Sequence, residues 1–164
     1  MRPRSVAAGL PNAWLPGADW SDRHELLVFG ERMTAAEAAR ALGSAPGWVR
    51  SLLALRNRFA SLIGLNAAAP PAHSGLIGTF PLLHSDDREA VVGYDDRHLD
   101  FRIVVDVREG PADSRIIGMT ALVRRRNLFG RLYLAAVMPF HKAIVPTLLA
   151  GVNDRSRAPV IPPA

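Results

Sequence analysis

The chain has no cysteine. A disulfide framework, a cysteine-ligated zinc or iron–sulfur centre and a thiol nucleophile are therefore excluded. Lysine is almost absent, with Lys142 the sole example, so the basic charge is carried by arginine. Aromatic residues are 7% of the chain and do not interleave with the arginines, which leaves no stacking platform for single-stranded nucleic acid. The sequence contains no G-x-G-x-x-G phosphate loop and no G-x-S-x-G nucleophile elbow. His24, His73, His84, His98 and His141 show no H-x3-H or E-x2-H spacing, so no metal and no cofactor are expected. The one long apolar stretch, Leu128 to Ala150, is interrupted by Arg131, His141, Lys142 and two prolines. It reads as a core helix and not as a membrane span.

What remains is the composition of a folded domain. The 164 residues are 49% hydrophobic and 21% charged, enough chain to bury a core without staples. Twenty basic residues against fifteen acidic ones give a net charge of +5. The arginines are spread from Arg2 to Arg157, with Arg124-Arg125-Arg126 as the one run of three. A compositional bias accounts for such dispersion better than a nucleic-acid surface does. The N-terminal apolar stretch is broken by Gly9 and Pro11 before it reaches the length of a signal sequence, so the expected compartment is the cytoplasm.

Residues 1–18 lack periodicity and are expected to be a flexible tail, residues 19–152 one domain, and residues 153–164 a second tail. His24–Phe29 reads as a first strand stopped by Gly30. Thr34 with Glu37 forms a capping box opening a helix that ends at Gly43. A second helix is expected from Ser44 to Gly64, with Trp48, Leu52, Leu55, Phe59 and Leu62 on one face. Four strands follow: Gly75–Leu83, Arg88–Asp95, Leu99–Val107 and Arg115–Arg124. In the third of these, Leu99, Phe101, Ile103, Val105 and Val107 alternate with His98, Asp100, Arg102, Val104 and Asp106. Short connections predict an antiparallel meander. Asn127 caps a last helix, whose expected core face is Phe129, Tyr133, Val137, Phe140 and Ile144. The fold class is therefore α+β, a curved antiparallel sheet gripping a long C-terminal helix.

Several residues are candidates for chemistry. His98 and Asp100 share one face of a strand, where a carboxylate could orient an imidazole as a base. Arg102 and Asp106 lie on the same face, so a solvated sheet surface is the competing reading. His141 is expected at the edge of the last helix's apolar face and Tyr133 nearer its middle. Together with Phe101, Thr120 and Arg124 they are the expected lining of a space between sheet and helix. The catalytic candidates are His98, Asp100 and His141. Arg124-Arg125-Arg126 precedes a helix N-terminus, where an anion could dock, or it is a solvated run.

Three stretches carry a family resemblance: Ala45-Pro-Gly-Trp-Val-Arg-Ser-Leu-Leu-Ala-Leu-Arg-Asn-Arg, Asp95-Asp-Arg-His-Leu-Asp-Phe-Arg, and Asn127-Leu-Phe-Gly-Arg-Leu-Tyr-Leu-Ala-Ala-Val-Met-Pro-Phe-His-Lys. Together they resemble the bacterial domain-of-unknown-function family 2867, over roughly Asp19 to Ala150. Members of that family occur alone or fused behind an NAD(P)-binding domain similar to short-chain dehydrogenases. The family is distantly similar to the START and polyketide-cyclase superfamily. The resemblance implies a helix-grip fold with a cavity and no particular catalytic residue; with no G-x-G-x-x-G motif in the sequence, the dehydrogenase-like domain is not expected here. The expected function is binding of a small apolar or amphipathic molecule between sheet and last helix. The alternatives are a cyclase- or isomerase-type enzyme on the same scaffold, and an interaction module that forms a homodimer or docks on a dehydrogenase-like partner.

Overall fold

The computed structural model describes residues 2–10, 12–30, 33–43, 47, 51, 75–77 and 80–156, with the side chains of the last helix described to Val152. Seven strands form one antiparallel sheet in the order β1-β2-β7-β6-β5-β4-β3. The strands are β1 (Arg4–Val6), β2 (Trp20–Phe29), β3 (Leu76–Ile77), β4 (Phe80–Ser85), β5 (Glu89–Asp95), β6 (Leu99–Glu109) and β7 (Ser114–Arg125). Helix α1 (Ala35–Gly43) follows β2, and helix α2 (Leu128–Ser156) follows β7. This is an α+β helix-grip fold, as the alternation in β6 and the order of elements predict.

The capping box forms as expected. The Thr34 amide donates to Glu37 Oε2 at 2.8 Å, and the Glu37 amide donates to Thr34 Oγ1 at 3.2 Å. Asn127 Oδ1 accepts from the Gly130 amide at 3.1 Å and caps α2. The expected helix over 44–64 lies outside the described residues, apart from 47 and 51.

Three expectations are corrected. The N-terminal stretch is not a bare tail. Arg4–Val6 pairs with Glu25–Arg23 of β2, and residues 12–18 strap the outer face of the sheet, where Leu15 is buried on Val91, Val104 and Leu122. These four apolar side chains give the strap its adhesion. The expected strand over 75–83 is two strands, because Pro81 pairs with Leu76 of the two-residue edge strand β3. Proline has no amide to donate, so it sits beside a short edge and not in mid-sheet. At the C-terminus, the helix continues to Ser156.

Helix α2 lies over β2 and β7 but is rotated about a quarter-turn from the expected face. Gly130, Leu134, Val145, Leu149 and Val152 are buried, whereas Phe129 and Phe140 are exposed. The cause is a close approach at the helix start. A Cβ on Gly130 would stand 2.2 Å from the His98 carbonyl oxygen, so the glycine face must meet the β5–β6 turn, and Phe129 is thrown outward. Two apolar clusters hold the inner face: Leu26, Ile117, Val105, Val145 and Leu149 with α1 at one end, and Leu99, Phe101, Val123 and Leu134 at the other.

The outer face carries paired charge, with Glu25 and Asp100 buried and Arg23 and Asp106 half-buried. Arg23 makes a bidentate pair with Asp106, at 2.6 and 2.8 Å, and also donates to Thr120 Oγ1 and Glu25. Glu25 also accepts from Arg4 and Arg108. Burial pushes the Glu25 carboxyl up, but Arg23, Arg108 and Arg4 together hold it below its ordinary value. Gly118 makes room, since a Cβ there would meet Arg23 Nη2 at 2.3 Å.

Two outcomes follow for equilibrium unfolding in urea. Gly130→Ala lowers stability by about 1–3 kcal/mol through overpacking. Asp106→Ala lowers it by about 2 kcal/mol, because half-buried Arg23 loses its bidentate partner and keeps only Thr120 and Glu25. Unchanged urea midpoints would refute these packing assignments.

Candidate functional site

The inner face of β2 is set by alternation: Trp20, Asp22, His24, Leu26 and Val28 stand opposite Val123, Ala121, Met119, Ile117 and Arg115 of β7. Two of the five β2 residues, Asp22 and His24, are ionisable, and they face the apolar Ala121 and Met119. Helix α2 brings His141 down onto them. His141 Nε2 donates to Asp22 Oδ2 at 2.9 Å, and a carboxylate only accepts, so Nε2 carries the proton. His24 Nδ1 lies 3.2 Å from the same oxygen. That contact is close but not aligned as a hydrogen bond, and His24 Nδ1 is a buried nitrogen without a hydrogen-bond partner. One carboxylate oxygen therefore serves two imidazoles, one well and one poorly. The Trp20 indole meets the His141 ring edge-on, centroids 5.5 Å apart.

Burial lowers the His141 pKa, and Asp22 only partly restores it. His141 is therefore neutral at pH 7, with its proton fixed on Nε2 toward Asp22.

Beside this cluster the inner face is aromatic. Phe101 takes Phe80 and Tyr94 edge-on, at 5.2 and 4.5 Å between centroids. Phe101 is buried, whereas Phe80, Leu82, Tyr94, Ile103 and, from α2, Tyr133 and Met138 are only half-buried. The arrangement sets an apolar, partly open wall next to a polar group of Asp22, His24 and His141.

The candidates from the sequence divide between the two faces. Phe101, Tyr133 and His141 lie on the inner side. Thr120 and Arg124 lie on the outer side, because Thr120 pairs with Val104 and Arg124 with Asp100 across the β6–β7 ladder. Thr120 accepts from Arg23. Asp100 is fully buried and accepts from Arg124 Nε at 2.6 Å and from Arg126 Nε at 3.0 Å. Arg125 is held by Asp19 at 2.9 Å. The arginine run is thus bound to carboxylates of its own chain and is not an anion dock.

His98 and Asp100 do not form a pair. Arg97 Nε donates to His98 Nε2 at 2.9 Å, which leaves the proton on Nδ1, directed at Asn127 Oδ1 at 3.3 Å. His98 belongs to the β5–β6 turn and packs on Phe129. His98, Asp100 and His141 therefore share no site. Asp22, His24, Trp20 and Tyr94 were missed from sequence. The signal was present, since Asp22 and His24 are two apart on a strand like His98 and Asp100. Starting the strand at His24 left Asp22 outside it.

A cleft of about 350 Å³ opens on the outer face beside the strap, lined by Asn12, Trp14, Arg23, Glu89, Asp106 and Arg108 among others. Its charges are largely committed. Arg23 is held by Asp106, Arg108 by Glu25, and Glu89 accepts from Trp14 Nε1 at 3.1 Å. The inner cluster, with its poorly partnered imidazole, is the better candidate for a site.

A sheet wrapped on one helix, with an apolar inner face and a few polar groups on it, defines a helix-grip protein. By its match to the family model over residues 14–148, the chain belongs to the protein family of unknown function DUF2867. No curated protein matches it significantly. Among solved structures it is similar to norcoclaurine synthase of Thalictrum flavum in complex with dopamine and hydroxybenzaldehyde. That match has 13% identity over 94% of this chain and 96% of that one, with a TM-score of 0.42. A second structure of the same enzyme matches at 13% identity over 92% and 91%, TM-score 0.37. CalU16 of Micromonospora echinospora matches at 11% identity over 83% of each chain, TM-score 0.34.

The His141 environment has a consequence for stability. An unfolded histidine titrates near about pH 6.5 and the folded His141 lower, so between the two values only the unfolded chain takes up the proton. Stability is full above about pH 6.5 and falls as pH drops below it, levelling off at the folded value. His141→Gln has a smaller drop in urea midpoint between about pH 7.5 and about pH 5.5 than the unsubstituted chain. Identical pH slopes would contradict the assignment.

Proposed function

We propose that this protein binds a small amphipathic molecule between the inner face of its sheet and α2. The apolar part lies on Phe80, Tyr94, Phe101 and Tyr133, and the polar part is held by His24 and His141 over Asp22. The observation that carries this reading is the Asp22–His24–His141 cluster, which puts an incompletely bonded imidazole beside a half-buried aromatic wall. A buried nitrogen without a partner is costly, and a ligand group that bonds it recovers that cost.

The test uses 1-anilinonaphthalene-8-sulfonate, an amphipathic anion that fluoresces in apolar sites. Saturable binding of one probe per chain is expected. His24→Ala weakens it about tenfold, by the loss of one charge-assisted hydrogen bond. Binding that is absent, or indifferent to both His24→Ala and Phe101→Ser in folded variants, rejects the site.

A second reading rests on the same residues. With the Asp22 carboxylate beside it, His24 can take an α-proton as a base, and the imidazolium so formed can return the same proton to the substrate. This supports a cyclase- or isomerase-type proton transfer next to a carbonyl. Enolisable ketones incubated with the protein in deuterium oxide then exchange their α-protons, and His24→Gln abolishes the exchange. Binding without exchange limits the site to ligand capture.

A further inference from the structure

We propose that the solvent-facing side of α2 docks on an anionic lipid surface. The helix is apolar all round, yet it is covered on one side only. Leu128–Val152 is long and apolar enough to cross a bilayer, and just 17% of its most apolar stretch is buried. Leu128 is 70% exposed, Leu132 62%, Phe140 47% and Phe129 38%. Ala135, Ala136, Pro139 and Ala143 complete an exposed ridge on the side away from the buried Leu134, Val145 and Val152. A helix held against a sheet ordinarily turns charged residues outward. Here the outward side offers an uninterrupted apolar strip.

The charges beside the strip are all of one sign. Arg131 and Lys142 are exposed, lie three turns apart in line along one flank, and are the only formally charged residues between Leu128 and Val152. No carboxylate occurs on the helix before Asp154. An apolar ridge with cations along its edge fits the boundary between acyl chains and anionic headgroups. It does not fit a second copy of the same helix. Antiparallel pairing about Ala136 would set Arg131 of one chain against Lys142 of the other, and parallel pairing would set each against itself. The His141 contact to Asp22 keeps the opposite side of α2 on the sheet, so the helix lies along the surface and does not cross it.

Flotation with phosphatidylcholine vesicles, with and without phosphatidylglycerol, tests this. Binding to the anionic vesicles, weak binding to the neutral ones and release by high salt are expected. Arg131→Gln with Lys142→Gln lowers the partition coefficient about twenty-five-fold, at about fivefold per charge. Leu132→Glu abolishes binding, and Leu128→Glu serves if that variant does not fold. Neither leucine substitution touches the inner face, so probe binding there stays unchanged. Three results overturn the proposal: equal binding to both vesicle types or none to either, protein retained after a salt wash, and a lipid-free dimer that Leu132→Glu dissolves.

Discussion

The Asp22 carboxylate, accepting from His141, ties the last helix to the sheet. A carboxylate placed on an apolar face loses most of its hydration, and the loss must be offset by partners. The helix supplies one partner in His141, and the strand supplies His24, close by but badly aligned. Apolar side chains flank this contact. Leu134 and Met138 on one side of this contact and Val145 and Leu149 on the other would allow α2 to slide or roll. The Asp22–His141 bond, with Gly130 closed on the His98 carbonyl, removes that freedom. Which helix residues face inward, and so what the site contains, follows from these two contacts.

The other side of the sheet is organised differently. A half-buried sheet normally leaves its outer face to water. Here residues 12–18 cross that face, and the ion network of Arg23, Asp106, Glu25 and Arg108 lies beside them. Asp100 gathers Arg124 and Arg126, and Asp19 holds Arg125. An arginine-rich chain thereby keeps many of its cations on its own carboxylates.

The fold was legible where periodicity was clean. The alternation of Leu99 to Val107 gave the central strand and its inner face, and the turn aspartates gave the meander. Thr34 with Glu37 and Asn127 marked both helix starts by side chains that bond the free amides. The site was legible only in part. His141, Tyr133 and Phe101 do lie on the inner side, and Asp100 lies on the charged face that the alternation marks as outer, but Thr120 and Arg124 lie on the outer side too, because the alternation in their own strand is blurred by apolar residues on both faces. The roll of α2 was misread because an apolar ridge exists on both of its sides, and the deciding feature, the fit of Gly130 to a turn carbonyl, is a tertiary contact. The strap escaped notice because a few buried apolar residues such as Leu15 among prolines and glycine leave no periodic trace.

The proposed ligand site stands or falls with the inner cluster of Asp22, His24 and His141. Nitrogen-15 NMR of the imidazoles during titration with 1-anilinonaphthalene-8-sulfonate addresses it most directly. The account predicts that the His24 and His141 nitrogens move together and saturate with the probe, while those of His84 and His98 stay in place. Shifts confined to His84 or His98, or a bound probe that leaves His24 and His141 unmoved, would contradict it.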